Sequence, residues 1–217
     1  MERNNGIVER LRRAGLSPPE EEVRKAILTA FAAGGKAPSV PELAHALGLP
    51  LAPVLAACRT LAASDLIVWQ DEKAHIVSAY PFSGLPTAHQ VLLAGRPTLY
   101  ALCAIDALGI PFMLGHGARM RSVCFFCHTP VHVDLDGGLL QRASPSTSVV
   151  WRSAREGCCH AAVRCPLTNF FCEEAHLQAW RATSPQERGT SLSLAEALAV
   201  GTAAFGALLT GIFPEDV

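Results

Sequence analysis

Apolar positions in the first quarter of the chain recur at helical spacing, each run opened by a capping residue or a turn. Ser17-Pro-Pro-Glu20 offers a hydroxyl cap, proline at the first helical position and Glu at the third, so a helix runs from here to about Phe31 and stops at Gly34-Gly35. Ser39-Val-Pro-Glu42 opens a second helix through Leu47, Gly48-Leu-Pro50 turns the chain, and Leu51 to Ala63 form a third. Leu66-Ile-Val-Trp69 and Ala74-His-Ile-Val77 then flank the polar turn Gln70-Asp-Glu-Lys73 as a small hairpin. Three helices and a hairpin in this order predict a winged-helix-like module over residues 1–80.

The pattern changes beyond it. Tyr80-Pro-Phe-Ser-Gly-Leu-Pro86 is turn-rich and predicts a joint between domains. Tyr100 to Pro111 is an almost wholly apolar segment, read as a helix, and Gly115 to Gly117 is a turn. Ala118 to Phe126 and Pro130 to Leu135 predict strands separated by Cys127-His-Thr and closed by Asp136-Gly-Gly138. Ser148 to Arg152 and Cys158 to Val163 are further strand candidates, followed by a helix from about Cys172 to Arg181. A capping box, Ser193-Leu-Ala-Glu196, starts a last helix whose stripe is Leu194, Leu198, Gly201, Phe205, Leu208 and Ile212. The fold class expected is α+β: the three-helix winged-helix-like module, then a domain over residues 81–217 with a mixed or antiparallel sheet flanked by helices.

Composition narrows what such a fold does. Half of the 217 residues are hydrophobic and 17% are charged, which excludes a disordered chain. A formal charge of −1 leaves no basic footprint, and the candidate recognition helix, Leu51 to Leu61, carries Arg59 as its single base, so nucleic acid is not the expected partner. The uncharged run Ala197 to Phe213 is short for a membrane span and reads as a buried helix. With no signal-peptide pattern in the first residues, a cytoplasmic location is expected, where the eight cysteines serve packing, metal binding or catalysis rather than disulfides.

Three groupings could carry chemistry. Cys103 and Asp106 lie three apart in the apolar segment, so a helix would place thiol and carboxylate on one face. A buried carboxylate there is costly without a partner or a task. Cys158-Cys159-His160 sets two thiols side by side, suited to a soft metal, with opposite facing if the segment is a strand. Cys124-Phe-Phe-Cys127-His128 has the spacing of half a zinc knuckle, and either Cys165 with Cys172 or Cys159 with His160 could complete it, although neither set forms a tight second pair. The histidines, among them His116, His128, His132, His160 and His176, are assigned no role.

With these residues in place, the chain resembles the organomercurial (alkylmercury) lyases. Leu99-Tyr-Ala-Leu-Cys-Ala-Ile-Asp-Ala-Leu108 is similar to the family's Tyr-Ala-Trp-Cys-Ala-Leu-Asp-Thr-Leu block. The likeness continues through Pro111, Leu114-Gly115, Ala118-Arg119, Ser122-Val-Cys124 and Pro130-Val131, and resumes at Cys158-Cys159-His160. The resemblance implies that Cys103 and Cys158 are the thiolates that grip mercury and that Asp106 carries the proton. Cys124 matches a family cysteine regarded as structural, and Cys159 the neighbour that is not the main ligand. It also implies a small organomercurial substrate, no organic cofactor, bound Hg(II) as product, free thiols for its release and a mercuric reductase as its recipient, with no membrane involved. Cys127, Cys165 and Cys172 are additional to the family pattern, and with Cys124 or Cys159 they could form a second metal site, such as structural zinc. Two other readings stand beside the lyase: a non-catalytic zinc- or copper-binding protein, and a metal-responsive winged-helix regulator.

Overall fold

The structure, a computed structural model, describes residues 11, 13–154, 165–206 and 209. Helix α1 (Pro18–Gly34) begins where the Glu20 carboxylate accepts the Ser17 backbone N–H at 2.8 Å, and ends at Gly35, whose positive φ of 64° lets its N–H cap the Phe31 carbonyl. Helix α2 (Val40–Leu47) carries the complete Ser39–Glu42 capping box, and α3 (Leu51–Ala63) follows the turn at Gly48. Val23, Ile27, Phe31, Leu43, Val54 and Leu61 fill the space between the three helices. Strands β1 (Ile67–Gln70) and β2 (His75–Ala79) form the expected antiparallel hairpin.

That hairpin is the edge of a larger sheet. Among the described residues eight strands run in the order β1-β2-β3-β5-β4-β6-β7-β8, each pair antiparallel. They include β3 (Phe82–Ser83), β4 (His89–Leu92), β5 (Leu99–Ala101), β6 (Ala118–Val123), β7 (Pro130–Asp136) and β8 (Leu139–Ser144). The Tyr80–Pro86 stretch is therefore not simply a linker: Phe82 and Ser83 pair with β2 on one side and β5 on the other, and the Phe82 ring stacks on Phe31 of α1 at 5.6 Å. In β6 and β7 the alternation is plain, with Met120, Val131, Val133 and Leu135 turned inward and Arg119 and Arg121 outward.

A second, three-stranded antiparallel sheet has β9 (Val149–Ser153) between β10 (Asn169–Phe171) and β11 (Gly189–Ser193). Helix α4 (Ala104–Leu114) touches strands of both sheets and packs most extensively on the last helix, α6 (Leu194–Phe205). It is apolar nearly all round and correspondingly buried nearly all round. The close crossing of α4 on α6 depends on Gly109 and Gly201, since a Cβ on Gly109 would strike the Phe205 ring and lie 2.9 Å from the Gly201 carbonyl. In α6 the buried stripe is Leu194, Ala197, Gly201 and Phe205; Leu198 is half-buried, and Leu208 and Ile212 lie outside the described residues. Helix α5 (Glu174–Thr183) covers β9 and β10 through Leu177 and Trp180. No single helix among the described residues is long and apolar enough to cross a membrane.

Candidate functional site

The apolar segment does not fold as one helix from Tyr100. Sheet pairing claims Leu99–Ala101, with Tyr100 opposite Gln90 of β4 and Ser83 of β3, and α4 starts at Ala104. Cys103 stands between them in extended conformation, as the N-cap of α4. Its sulfur accepts the Asp106 backbone N–H at 3.4 Å. Thiol and carboxylate thus meet as N-cap and third helical residue, not as two positions along a helix face.

The N-terminus of α4 is stitched to a segment far along the chain. Ala104 N–H donates to the Thr168 carbonyl at 3.1 Å, and Thr168 closes the single tight turn Cys165–Leu167 by donating to the Cys165 carbonyl at 2.9 Å. This places the Cys165 thiol 3.6 Å from Asp106 Oδ2, which it faces as donor. One ligand atom from each of Cys103, Asp106 and Cys165 lies within 4.8 Å of the others. Cys103 and Asp106 are buried at 4% and 5% exposure, while Cys165 is half-buried at the rim. Burial, reinforced by the neighbouring Cys165 and the Asp106 carboxylate, holds the Cys103 thiol well above its ordinary range. The resting form of that residue is therefore the protonated thiol.

A buried polar chain supports the turn from behind. His89 Nδ1 lies 2.9 Å from the Ser122 hydroxyl and its Nε2 3.2 Å from Asn169 Oδ1, and Asn169 Nδ2 donates to the Pro166 carbonyl at 2.7 Å. Burial pushes His89 down to about 4, so it is neutral at ordinary pH. Strands β4, β6 and β10 are thereby tied directly to the residue after Cys165.

A second convergence lies where β6 turns into β7. The ligand atoms of Cys124, Cys127, Cys172 and His176 all fall within 4.8 Å of one another. Cys127 Sγ is 3.6 Å from Cys172 Sγ, and Cys172 Sγ is 2.9 Å from His176 Nδ1. The Thr129 hydroxyl and backbone N–H hold the Cys127 thiol down at about 6, whereas burial pushes Cys172 up to about 12. The six described cysteines are free thiols, and Cys58, a fully buried residue of α3, is pushed up to about 11 by burial.

The sequence-based expectations divide accordingly. Cys103 and Asp106 are brought together; Cys158, Cys159 and His160 lie outside the described residues. Cys124 and Cys127 belong to the second cluster, joined there among the described residues by Cys172 and His176; Cys165 sits with Cys103 and Asp106 instead, and the other expected completing pair, Cys159 with His160, lies outside the described residues. The pair Cys172-Glu-Glu-Ala-His176 was not among the expected sets, although its spacing is a signal the sequence carries. For Cys165 no local signal exists, because its partner Asp106 is 59 positions away and the turn holding it is made by backbone bonds.

Comparison with known proteins places this geometry. The sequence model of a family described as alkylmercury lyase matches residues 82–206. An alkylmercury lyase of Streptomyces lividans is 31% identical over 150 residues, 66% of this chain and 66% of that protein. One of Bacillus cereus is 27% identical over 118 residues, 54% of this chain, and the match spans about half, 51%, of that relative's length. A solved structure described as the mercury-bound form of MerB2 superposes with a TM-score of 0.79 at 25% identity, covering 95% of this chain and 98% of the other. The family match takes in more than half of the 217 residues and contains Cys103, Asp106 and Cys165, so the chain belongs to the alkylmercury lyase family.

Proposed function

We propose that the protein is an organomercurial lyase that cleaves a carbon–mercury bond by protonolysis, with Cys103 and Cys165 as the mercury-gripping thiols and Asp106 as the proton carrier. The observation that carries this reading is the position of the Asp106 carboxylate, buried beside Cys103 and accepting from the Cys165 thiol at 3.6 Å. Cys158, which the family resemblance favours as second thiol, lies outside the described residues, and the geometry favours Cys165 in its place.

The chemistry follows from softness and proton balance. A thiol that takes up R–Hg⁺ exchanges its proton for mercury, and the carboxylate alongside receives that proton. Coordination by the second thiolate raises electron density on the carbon, and Asp106 returns the proton there. The C–Hg electron pair becomes the new C–H bond. The balance is R–Hg⁺ plus two thiols giving R–H, a dithiolate-bound Hg(II) and one released proton. No organic cofactor enters the balance. Half-buried Cys165 suits first capture and later surrender of Hg(II) to free thiols and a mercuric reductase, while buried Cys103 keeps water from the intermediate.

The winged-helix-like module over residues 1–80 serves in this proposal as scaffold and cover for the domain over residues 81–217. Arg59, the single base of its third helix, is already engaged by Asp71 at 3.3 Å, which does not favour a DNA-reading role. The test is headspace detection of methane or benzene from methylmercury or phenylmercury with excess thiol. Cys103→Ser and Cys165→Ser each lose turnover at least 100-fold, on the scale of removing a group that acts in the chemical step. Full activity in Cys103→Ser overturns the lyase reading; full activity in Cys165→Ser with loss in Cys158→Ser returns the second jaw to Cys158.

A further inference from the structure

We infer that Cys124, Cys127, Cys172 and His176 bind one zinc ion, a structural site separate from the reaction centre. Three sulfurs and one imidazole nitrogen converge within 4.8 Å, the donor number and type of a closed tetrahedral zinc site. With Zn–S distances of about 2.3 Å, two sulfurs of a tetrahedron stand about 3.8 Å apart. The Cys127–Cys172 separation of 3.6 Å is close to that, and far from a disulfide bond.

The backbone is shaped for the purpose. Between β6 and β7 the chain makes a knuckle: His128 N–H donates to the Cys124 carbonyl at 2.9 Å, and Cys124 N–H to the Thr129 carbonyl at 2.8 Å. His128 takes a φ of +61° to close it, a conformation unusual for a residue other than glycine. The knuckle presents Cys124 and Cys127 from one side; Cys172 at the end of β10 and His176 in the first turn of α5 present the other pair. His176 offers Nδ1 toward the sulfurs while its Nε2 lies 3.4 Å from the Glu173 carboxylate. A carboxylate on the far nitrogen is how metal-binding histidines are oriented and made more basic. The Phe126 ring lies against His176, with ring centroids 5.4 Å apart.

The location gives the ion a task. It clamps the β6–β7 knuckle to the β10–α5 junction, already joined where Phe125 N–H donates to the Phe170 carbonyl at 2.9 Å. Strand β10 leads back through Asn169 to the turn carrying Cys165.

The test is metal analysis of the full chain, expressed with zinc supplied and purified without chelator, and its readout does not depend on lyase activity. About one zinc per chain is expected in the wild type and in Cys103→Ser and Cys165→Ser. The double variant Cys127→Ser, Cys172→Ser loses it. Two softer variants guard against simple misfolding: His176→Cys, with four thiolates, keeps the zinc, and Glu173→Gln weakens it about 10–100-fold in competition with a chelator. Cobalt substitution of the wild type gives thiolate-to-metal charge-transfer absorption that the double variant lacks. A wild type far below stoichiometric zinc overturns the inference. So does zinc that persists in the double variant, or that is lost with Cys103→Ser.

Discussion

At the scale of the residue, the decisive arrangement is a carboxylate that sees two thiols. Asp106→Asn keeps the shape but cannot accept or return a proton. Hydrocarbon release should fall about 10²- to 10⁴-fold, while stoichiometric binding of Hg(II) by Cys103 and Cys165 persists; turnover and mercury retention measured on the same sample check it. The proximity of Cys103 and Asp106 was legible because three-residue spacing survives the change from helix face to cap, so the two residues meet for a different geometric reason. Cys165 was not legible. Its neighbourhood exists only after Ala104 bonds to Thr168 across the fold, and nothing in Cys165-Pro-Leu167 announces that bond.

Among the elements, strong local signals carried through and weak ones did not. The capping boxes at Ser39 and Ser193 and the Gly35 and Gly48 stops mark helices where the sequence placed them. Strands β3, β5 and β10 are two or three residues long and exist because neighbours pair with them, so no periodicity could reveal them. Two interfaces between elements have measurable consequences. Gly109→Ala at the α4–α6 crossing forces a methyl group against Phe205 and the Gly201 carbonyl, a loss of about 1–3 kcal/mol. A lower urea midpoint with unchanged slope is the expected result. His89, joining β4, β6 and β10, has its folded pKa depressed from 6.5 to about 4. The unfolded chain therefore takes up a proton that the folded protein refuses between those values, and stability is lost as pH falls from about 6.5 to about 4. At about 1.4 kcal/mol per unit the loss approaches about 3 kcal/mol. Denaturation midpoints at pH 7 and pH 4.5 should converge for wild type and His89→Gln at the lower value, the wild type having lost the advantage.

For the molecule as a whole, the two sheets and α4 make a frame in which the N-terminal end of one buried helix is the proposed reaction centre and the β6–β7 knuckle the proposed second anchor for the strand behind it. The α+β class and the order of the parts could be read from the pattern of apolar runs. The extension of the hairpin into an eight-stranded sheet could not, because it depends on Phe82 and Ser83 bridging strands distant in sequence. The central claim is proton delivery to carbon at a dithiol site, and a single turnover with phenylmercury in heavy water tests it most directly. The account predicts one equivalent of singly deuterated benzene in the headspace and one equivalent of Hg(II) held by the protein. Phenylmercury recovered intact on the protein, with no benzene released, would contradict it.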